Sequence, residues 1–471
     1  METESILELP VDEQFQKKLQ KLQKKWKIDY FNARFNVKSS TLIHINKGKM
    51  KENKSTNTYG FSIHTFVDGG YGFASSNEIS LSELERIFEN SSKLAKWSSS
   101  KAEEKFRINP MDPIKVSYIQ PQKKNLFDVS NQDKIQFLLG QDKAAIGFDS
   151  RISNSNSYYL DNVSHEIIHT SDDRLIDKTE SASRVMIMIN SKVGTNLQEA
   201  RKSKGITGGF EIVEQANTLG IDAAKEAIEN LSAKPVKGGN YNIIADPYLS
   251  GTFIHEAFGH ACEADGILAG ESQLADKIGQ RMGYESINVV DAPGVEGDYG
   301  FLKYDSEGIE TKKVQLIENG ILKGFMHSRE TASKMGLEPT GNGRAQSFTS
   351  IPIVRMRNTY IEPGDWSLEE LMEDLKNGIL CVSWNYGYTE PAIGQFMFKM
   401  ARAWEIKNGE KVQLLRDAAL AGMMLDILNN ISAIGDTKYS DDGTCGKSYQ
   451  GAPVSSGSPY IRINDVVIGG Q

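Results

Sequence analysis

The sequence predicts an α+β protein. A mixed helix and sheet region fills the N-terminal half, and a strand-rich C-terminal domain follows, carrying one chemically loaded helix. Three observations predict this. Apolar residues recur at helical spacing in some stretches and alternate in others. Lys234-Pro235 and Gly238-Gly239 form the clearest boundary in the chain. Beyond it, short strand-like runs surround a helix that holds His255-Glu256-Ala257-Phe258-Gly259-His260. The expected division is 1–105, 106–236 and 237–471.

In chain order, Phe15, Leu19, Leu22 and Trp26 lie at helical spacing, with lysines on what reads as a solvated face. From Tyr30 to Ser76 the pattern alternates as in strands, with turns at Lys47-Gly48 and Gly69-Gly70. A second helix spans 81–97 with Ser80 as its cap. Pro110, Pro113 and Pro121 mark a connection to a helix near 131–146, strands over 149–193 and a helix near 211–232. After the boundary come a strand, Tyr241 to Ala245, and the motif helix, with Asp246 as cap and Pro247 in its first turn. Asn319-Gly320 predicts a type I′ hairpin. Further helices are expected near 366–376 and 412–430, and a strand over 351–361 in which Arg355 and Arg357 share a face. An edge strand there could pair with an extended peptide; an ordinary sheet strand is the plain alternative.

The 471 residues suffice for two or three domains. A net charge of −8 argues against sequence-independent nucleic-acid binding. No apolar run reaches the ~20 residues needed to span a bilayer, so no membrane role is expected. The acidic start, METESILELPVDEQ, does not read as a signal peptide. Three cysteines, Cys262, Cys381 and Cys445, fit a reducing cytoplasm and leave thiols free for packing or metal.

The motif helix carries the chemistry. Neutral imidazoles bind zinc well, and a carboxylate beside the metal can take a proton from water. In HExxH the histidines are four apart on one helical face. His255 and His260 are five apart, about 140° off in azimuth on an ideal helix. They can share one ion only if the helix holds an extra residue, as a π-bulge does. Otherwise they are ordinary core histidines. A conventional HExxH does occur, His165-Glu166-Ile167-Ile168-His169, but its β-branched and aromatic neighbours predict a strand. Residues four apart in a strand lie about 13 Å apart, too far for one ion. A third ligand for the better motif is open among Cys262, Glu263, Asp265 and Cys445. Cys262 is expected on the back of the helix. Cys445 sits in a Gly-flanked loop, with Lys447 close enough to favour its thiolate.

HEAFGHACEAD, IENGILKGFMHSRETA, GNGRAQSFTSIPIVRMRNTYIEPGD and TCGKSYQGAPVSSGSPYIRI, in that order, resemble the TldD/PmbA family of metallopeptidases. The likeness covers about 230 residues and is looser in the N-terminal half. It implies a TldD-like catalytic subunit with His255, His260 and Cys445 as zinc (Zn2+) ligands and Glu256 as catalytic base. It also implies paired subunits enclosing the site, as a homodimer or as a heterodimer with a PmbA-like subunit. The expected activity is then hydrolysis of short or unfolded peptides. Glu263 becomes a candidate for supporting a ligand, against a plain surface carboxylate. His327 reads as a satisfied strand histidine and Cys381 as a buried strand residue. Gly341-Asn342-Gly343-Arg344 lacks the surroundings of a phosphate loop. The rival is a non-proteolytic peptide-binding or scaffold subunit with structural zinc or none. A closed structural site would need a fourth protein ligand, which no tight His or Cys spacing offers.

Overall fold

The structure is a computed structural model that describes residues 7–470. It is α+β, as the mixed periodicities require. The beginning of the acidic N-terminal stretch, residues 1–6, lies outside the described residues. Helix Glu13–Trp26 starts at Asp12, whose carboxylate accepts from the Gln14 and Phe15 N–H groups, and it buries Phe15, Leu19 and Leu22. Ser80 caps helix Leu81–Ser99 in the same way through Glu83 N–H.

Strands Tyr30–Asn46 and Lys49–Val67 form a long hairpin, with Lys47 and Gly48 both at positive φ. A seven-stranded sheet grows from it. Gly70–Ser76 lies outside Lys49–Val67, while Ile152–Thr170 pairs antiparallel with Tyr30–Asn46 across residue 105. Arg174–Val193 follows, flanked by Ile114–Ile119 and Asn196–Thr207.

Alternation along these strands gives the sheet two unlike faces. Phe31, Ala33, Phe35, Ile43, Val185 and Ile187 point to one face and bury under the helices. Asn32, Arg34, Arg174 and Lys178 occupy the other face, and their side chains donate to carbonyls of the C-terminal half: Ser306, Ser350, Gly308 and Tyr304. Arg329 closes the contact. Its guanidinium bonds both Asp172 oxygens, at 3.2 and 2.5 Å, and the Tyr30 hydroxyl.

The C-terminal half is strand-rich. One sheet is centred on Gly239–Ala245 between Ile461–Gly469 and Asn377–Val382. A second runs from Ile321–Leu322 through Val289–Ala292 and Asn358–Ile361 to the hairpin Gln450–Ser458 and Tyr439–Lys447. The motif helix lies within one apolar cluster with residues of both sheets. The hairpin turn has Asn319 at φ 50° and Gly320 at φ 76°, as type I′ needs.

Three expectations are corrected. Residues 412–430 are not one helix. Strands Glu410–Arg416 and Ala419–Met423 come first, then helix Met424–Asn430. Asp417, at φ 59°, turns the chain between the strands. The helix expected over 211–232 is broken into Ile212–Gln215 and Leu219–Asn230. The stretch 351–361 is two short strands and not one, and only its second half has partners on both sides. Ile353–Val354 pairs with Gly343–Arg344, and Asn358–Ile361 is interior, between Val289–Ala292 and Gln450–Ser458. Arg355 and Arg357 are fully buried there.

Because Arg329 is buried, removing its carboxylate leaves an uncompensated charge. Asp172→Ala is expected to lower stability by about 3 kcal/mol in urea titration. Cutting the exposed Lys17–Glu13 pair should change the midpoint little.

Candidate metal centre

Pro247–Phe253 begins as an α-helix, with the Asp246 carboxylate accepting from Leu249 N–H. At Ile254–Gly259 the helix widens into a π turn. The His260 N–H donates to the His255 carbonyl, five residues back instead of four. That brings the two imidazoles onto one side, with ring centroids 5.4 Å apart. Gly259 permits the turn its depth, since a Cβ there would collide with Met356 Sδ.

Cys445 arrives from the strand Tyr439–Lys447. Its Sγ lies 3.4 Å from His260 Nε2. One ligand atom from each of His255, His260 and Cys445 falls within 4.8 Å of the others. A tetrahedral zinc with Zn–N of about 2.0 Å and Zn–S of about 2.3 Å sets N···S near 3.5 Å, so the donor set fits that ion. The buried Nδ1 of His255 has no hydrogen-bond partner.

None of the remaining third-ligand candidates joins this donor group. Cys262 is packed in the apolar core, where burial pushes its thiol up. Asp265 is held by Lys447 at 2.7 and 2.8 Å. Glu263 is buried, and one of its oxygens accepts from His260 Nδ1 at 2.9 Å and lies 3.0 Å from Lys447 Nζ. With its proton on Nδ1, His260 presents the Nε2 lone pair toward Cys445. Burial works against charge on Glu263, but His260 and Lys447 outweigh it and hold the carboxyl below its ordinary range.

Burial likewise pushes the Cys445 thiol up, yet the charge and hydrogen bonds of His255 and His260 bring it down to about 5. The sequence had pointed to Lys447 for this role. The lysine instead ties the Cys445 hairpin to Glu263, Asp265 and the Val354 carbonyl. Arg355 adds a second tie, with Nη2 2.5 Å from the Cys445 carbonyl and Nη1 2.9 Å from that of Gln450. Arg344 bonds the Met356 and Pro453 carbonyls, so the Gly341–Arg344 stretch supports the hairpin.

Glu256 stands beside the cluster with its side chain 34% exposed and one oxygen 3.7 Å from His260 Nε2. It opens on a cleft of about 190 Å³ that His255 and Cys445 also line. The polar face of the N-terminal sheet also lines this cleft, through Arg184, Met186 and Arg201. Motif spacing gave no hint of these wall residues, because the contact between the two halves brings them in. A larger hollow, about 880 Å³, shares no lining residue with this cleft and holds no comparable donor cluster.

The other sequence candidates fall elsewhere. His165 and His169 lie in strand Ile152–Thr170, where His165 bonds the Leu7 carbonyl and Asp177. His327 is buried beside Thr331 and outside the cluster. Cys381 is buried in strand Asn377–Val382.

The chain is similar to known proteins along most of its length. Models of the PmbA/TldA metallopeptidases match the chain in three parts: domain 1 over residues 33–95, the central domain over 124–231 and the C-terminal domain over 238–470. A metalloprotease of Methanocaldococcus jannaschii is 37% identical over 445 residues, covering 94% of this chain and 98% of that protein. A zinc metalloprotease TldD homolog of Saccharolobus solfataricus is 31% identical, covering 87% and 90%. The crystal structure of TldE from Thermococcus kodakarensis has the same fold, with a TM-score of 0.76 at 18% identity over 97% of this chain and all of that one. Matched in three parts between residues 33 and 470, and more than 30% identical to metalloproteases along most of its length, the chain belongs to the PmbA/TldD family of metallopeptidases.

Proposed function

We propose that this chain is a zinc-dependent peptidase in which His255, His260 and Cys445 hold the ion and Glu256 is the catalytic base. The observation that carries the reading is the meeting of three N and S donors within 4.8 Å beside a partly exposed carboxylate. Zinc bound there would polarise the scissile carbonyl and lower the cost of deprotonating water. Glu256 accepts a proton from the attacking water and returns it to the leaving amine. Glu263 keeps the His260 ring oriented through Nδ1, while Lys447 and Arg355 keep Cys445 in place.

The substrate is a short or unfolded peptide. His255 and Cys445 are buried, and the cleft is narrow and walled by both halves of the chain. A cleft of about 190 Å³ suits an extended chain better than the backbone of a folded domain. Tyr439–Lys447 is an edge strand that carries Cys445, so an extended peptide can run beside it. Pairing with a copy of itself or with a PmbA-like subunit would enclose the site further, and the shared TldE fold supports such a pair. The three free cysteines suit the cytoplasm. Among the described residues, no helix is long and apolar enough to cross a membrane.

The division of roles has separable consequences. Glu256→Gln is expected to keep zinc stoichiometry near wild type while peptide hydrolysis falls by about 10²-fold or more. Cys445→Ser should lose zinc on dialysis, and Cys262→Ser should keep it. Metal analysis of the three variants, paired with a peptide digest, decides the assignment; zinc loss in Glu256→Gln would make that residue a ligand.

Enclosure is tested with one protein in two states, native and permanently unfolded by reduction and alkylation. At equal concentration the unfolded form should be cleaved and the native form spared. Equal rates would reject an enclosed site and leave the metal assignment standing.

A further inference from the structure

The cleft that Glu256 lines also holds a cation that makes no ion pair among the described residues. Arg201 stands on strand Asn196–Thr207, directly across from Met188 in the antiparallel pair with Arg174–Val193. It therefore shares a sheet face with Arg184 and Met186, and all three line the cleft with His255, Glu256 and Cys445. The two arginines are in different states. Arg184 is already engaged, with Nε donating to an Asp442 carboxylate oxygen at 2.7 Å and Nη2 to the Asp442 carbonyl at 2.9 Å. Arg201 makes no ion pair within 4.0 Å among the described residues. Asp441 is near enough to feel its charge and still forms no pair with it.

The Arg201 guanidinium instead lies over Trp384, 5.3 Å from the ring centroid. A cation–π contact of that kind holds the group over the ring without using its N–H donors. The result is a fork of donors on the wall of the cleft that holds the proposed base. Such a fork matches a carboxylate. The main chain of a peptide is neutral between its ends, so the carboxylates it can offer are its C-terminus and the side chains of Asp and Glu.

We propose that Arg201, stacked on Trp384, is a specificity-determining residue that binds a carboxylate of the peptide substrate. The proposal rests on the peptidase reading of the cleft. It narrows that reading to peptides bearing either a free C-terminus or an acidic side chain close to the scissile bond.

The test uses three synthetic hexapeptides of otherwise identical neutral sequence: one with a free C-terminus, its C-terminal amide, and the amide with one residue replaced by Glu. Calorimetric titration into zinc-loaded Glu256→Gln protein reads binding without turnover, and hydrolysis is measured on the active protein. At least one carboxylate-bearing peptide should bind about tenfold more tightly than the plain amide, and should show the same factor in KM with kcat little changed. The better of the two identifies which carboxylate is read. Arg201→Leu should erase the preference and Arg201→Lys should restore part of it. Equal affinity for all three peptides, or binding of none, overturns the proposal, because the substrate change alone tests it whatever the variants do. A preference that survives Arg201→Leu also overturns it and leaves Arg201 as a counter-charge for Asp441. Binding with the predicted preference but no hydrolysis by the active protein would sink the peptidase reading and leave the carboxylate subsite.

Discussion

One hydrogen bond, from the His260 N–H to the His255 carbonyl, sets the geometry on which the site depends. An α-helix would join that N–H to the carbonyl of residue 256 and throw the two imidazoles about 140° apart. The widened turn returns residue 260 to the side of residue 255. Such turns are rare in isolation, so this one has to be held by its surroundings. Apolar contacts from both C-terminal sheets bury it, and Gly259 lets it settle against Met356. Cys445 is brought to the same point from 185 residues away and fixed by backbone carbonyls that accept from Arg344 and Arg355.

The cleft follows from a second constraint, the two-residue period of the N-terminal strands. One face of that sheet is apolar and disappears under helices. The other carries Asn32, Arg34, Arg174 and Lys178, which would cost heavily if buried unpaired. Carbonyls of the C-terminal half satisfy them, and the same face then presents Arg184 and Arg201 to the cleft that the motif helix also lines. A wall of the site is thus built by residues whose first structural role is to join the two halves.

Much of this was legible in the sequence because it is local. The five-residue spacing of His255 and His260 demanded a widened turn, and Asp246-Pro247 announced where the helix starts. Asn319-Gly320 specified its own turn, and the β-branched residues around His165 placed that histidine pair in a strand. What the sequence hid is non-local. Whether 351–361 is an edge or interior strand depends on partners at 289–292 and 450–458. Residues 412–430 carry apolar spacing that fits either period, and the turn at Asp417 decides between them. Lys447 lies two residues from Cys445, yet its ammonium serves Glu263 and Asp265, because the strand turns that side chain toward the motif helix. No spacing marked Arg184 or Arg201. The family likeness singled out Cys445 as the expected third ligand where residue spacing left four choices open.

The proposed zinc site has two nitrogens and one sulfur from the protein and a position left for water. X-ray absorption at the zinc edge of the zinc-loaded protein measures this directly. The expected shell is one sulfur at about 2.3 Å and two imidazole nitrogens at about 2.0 Å, with a light oxygen donor completing four-coordination. A zinc shell without sulfur, or one filled by four protein N and S donors, would contradict it.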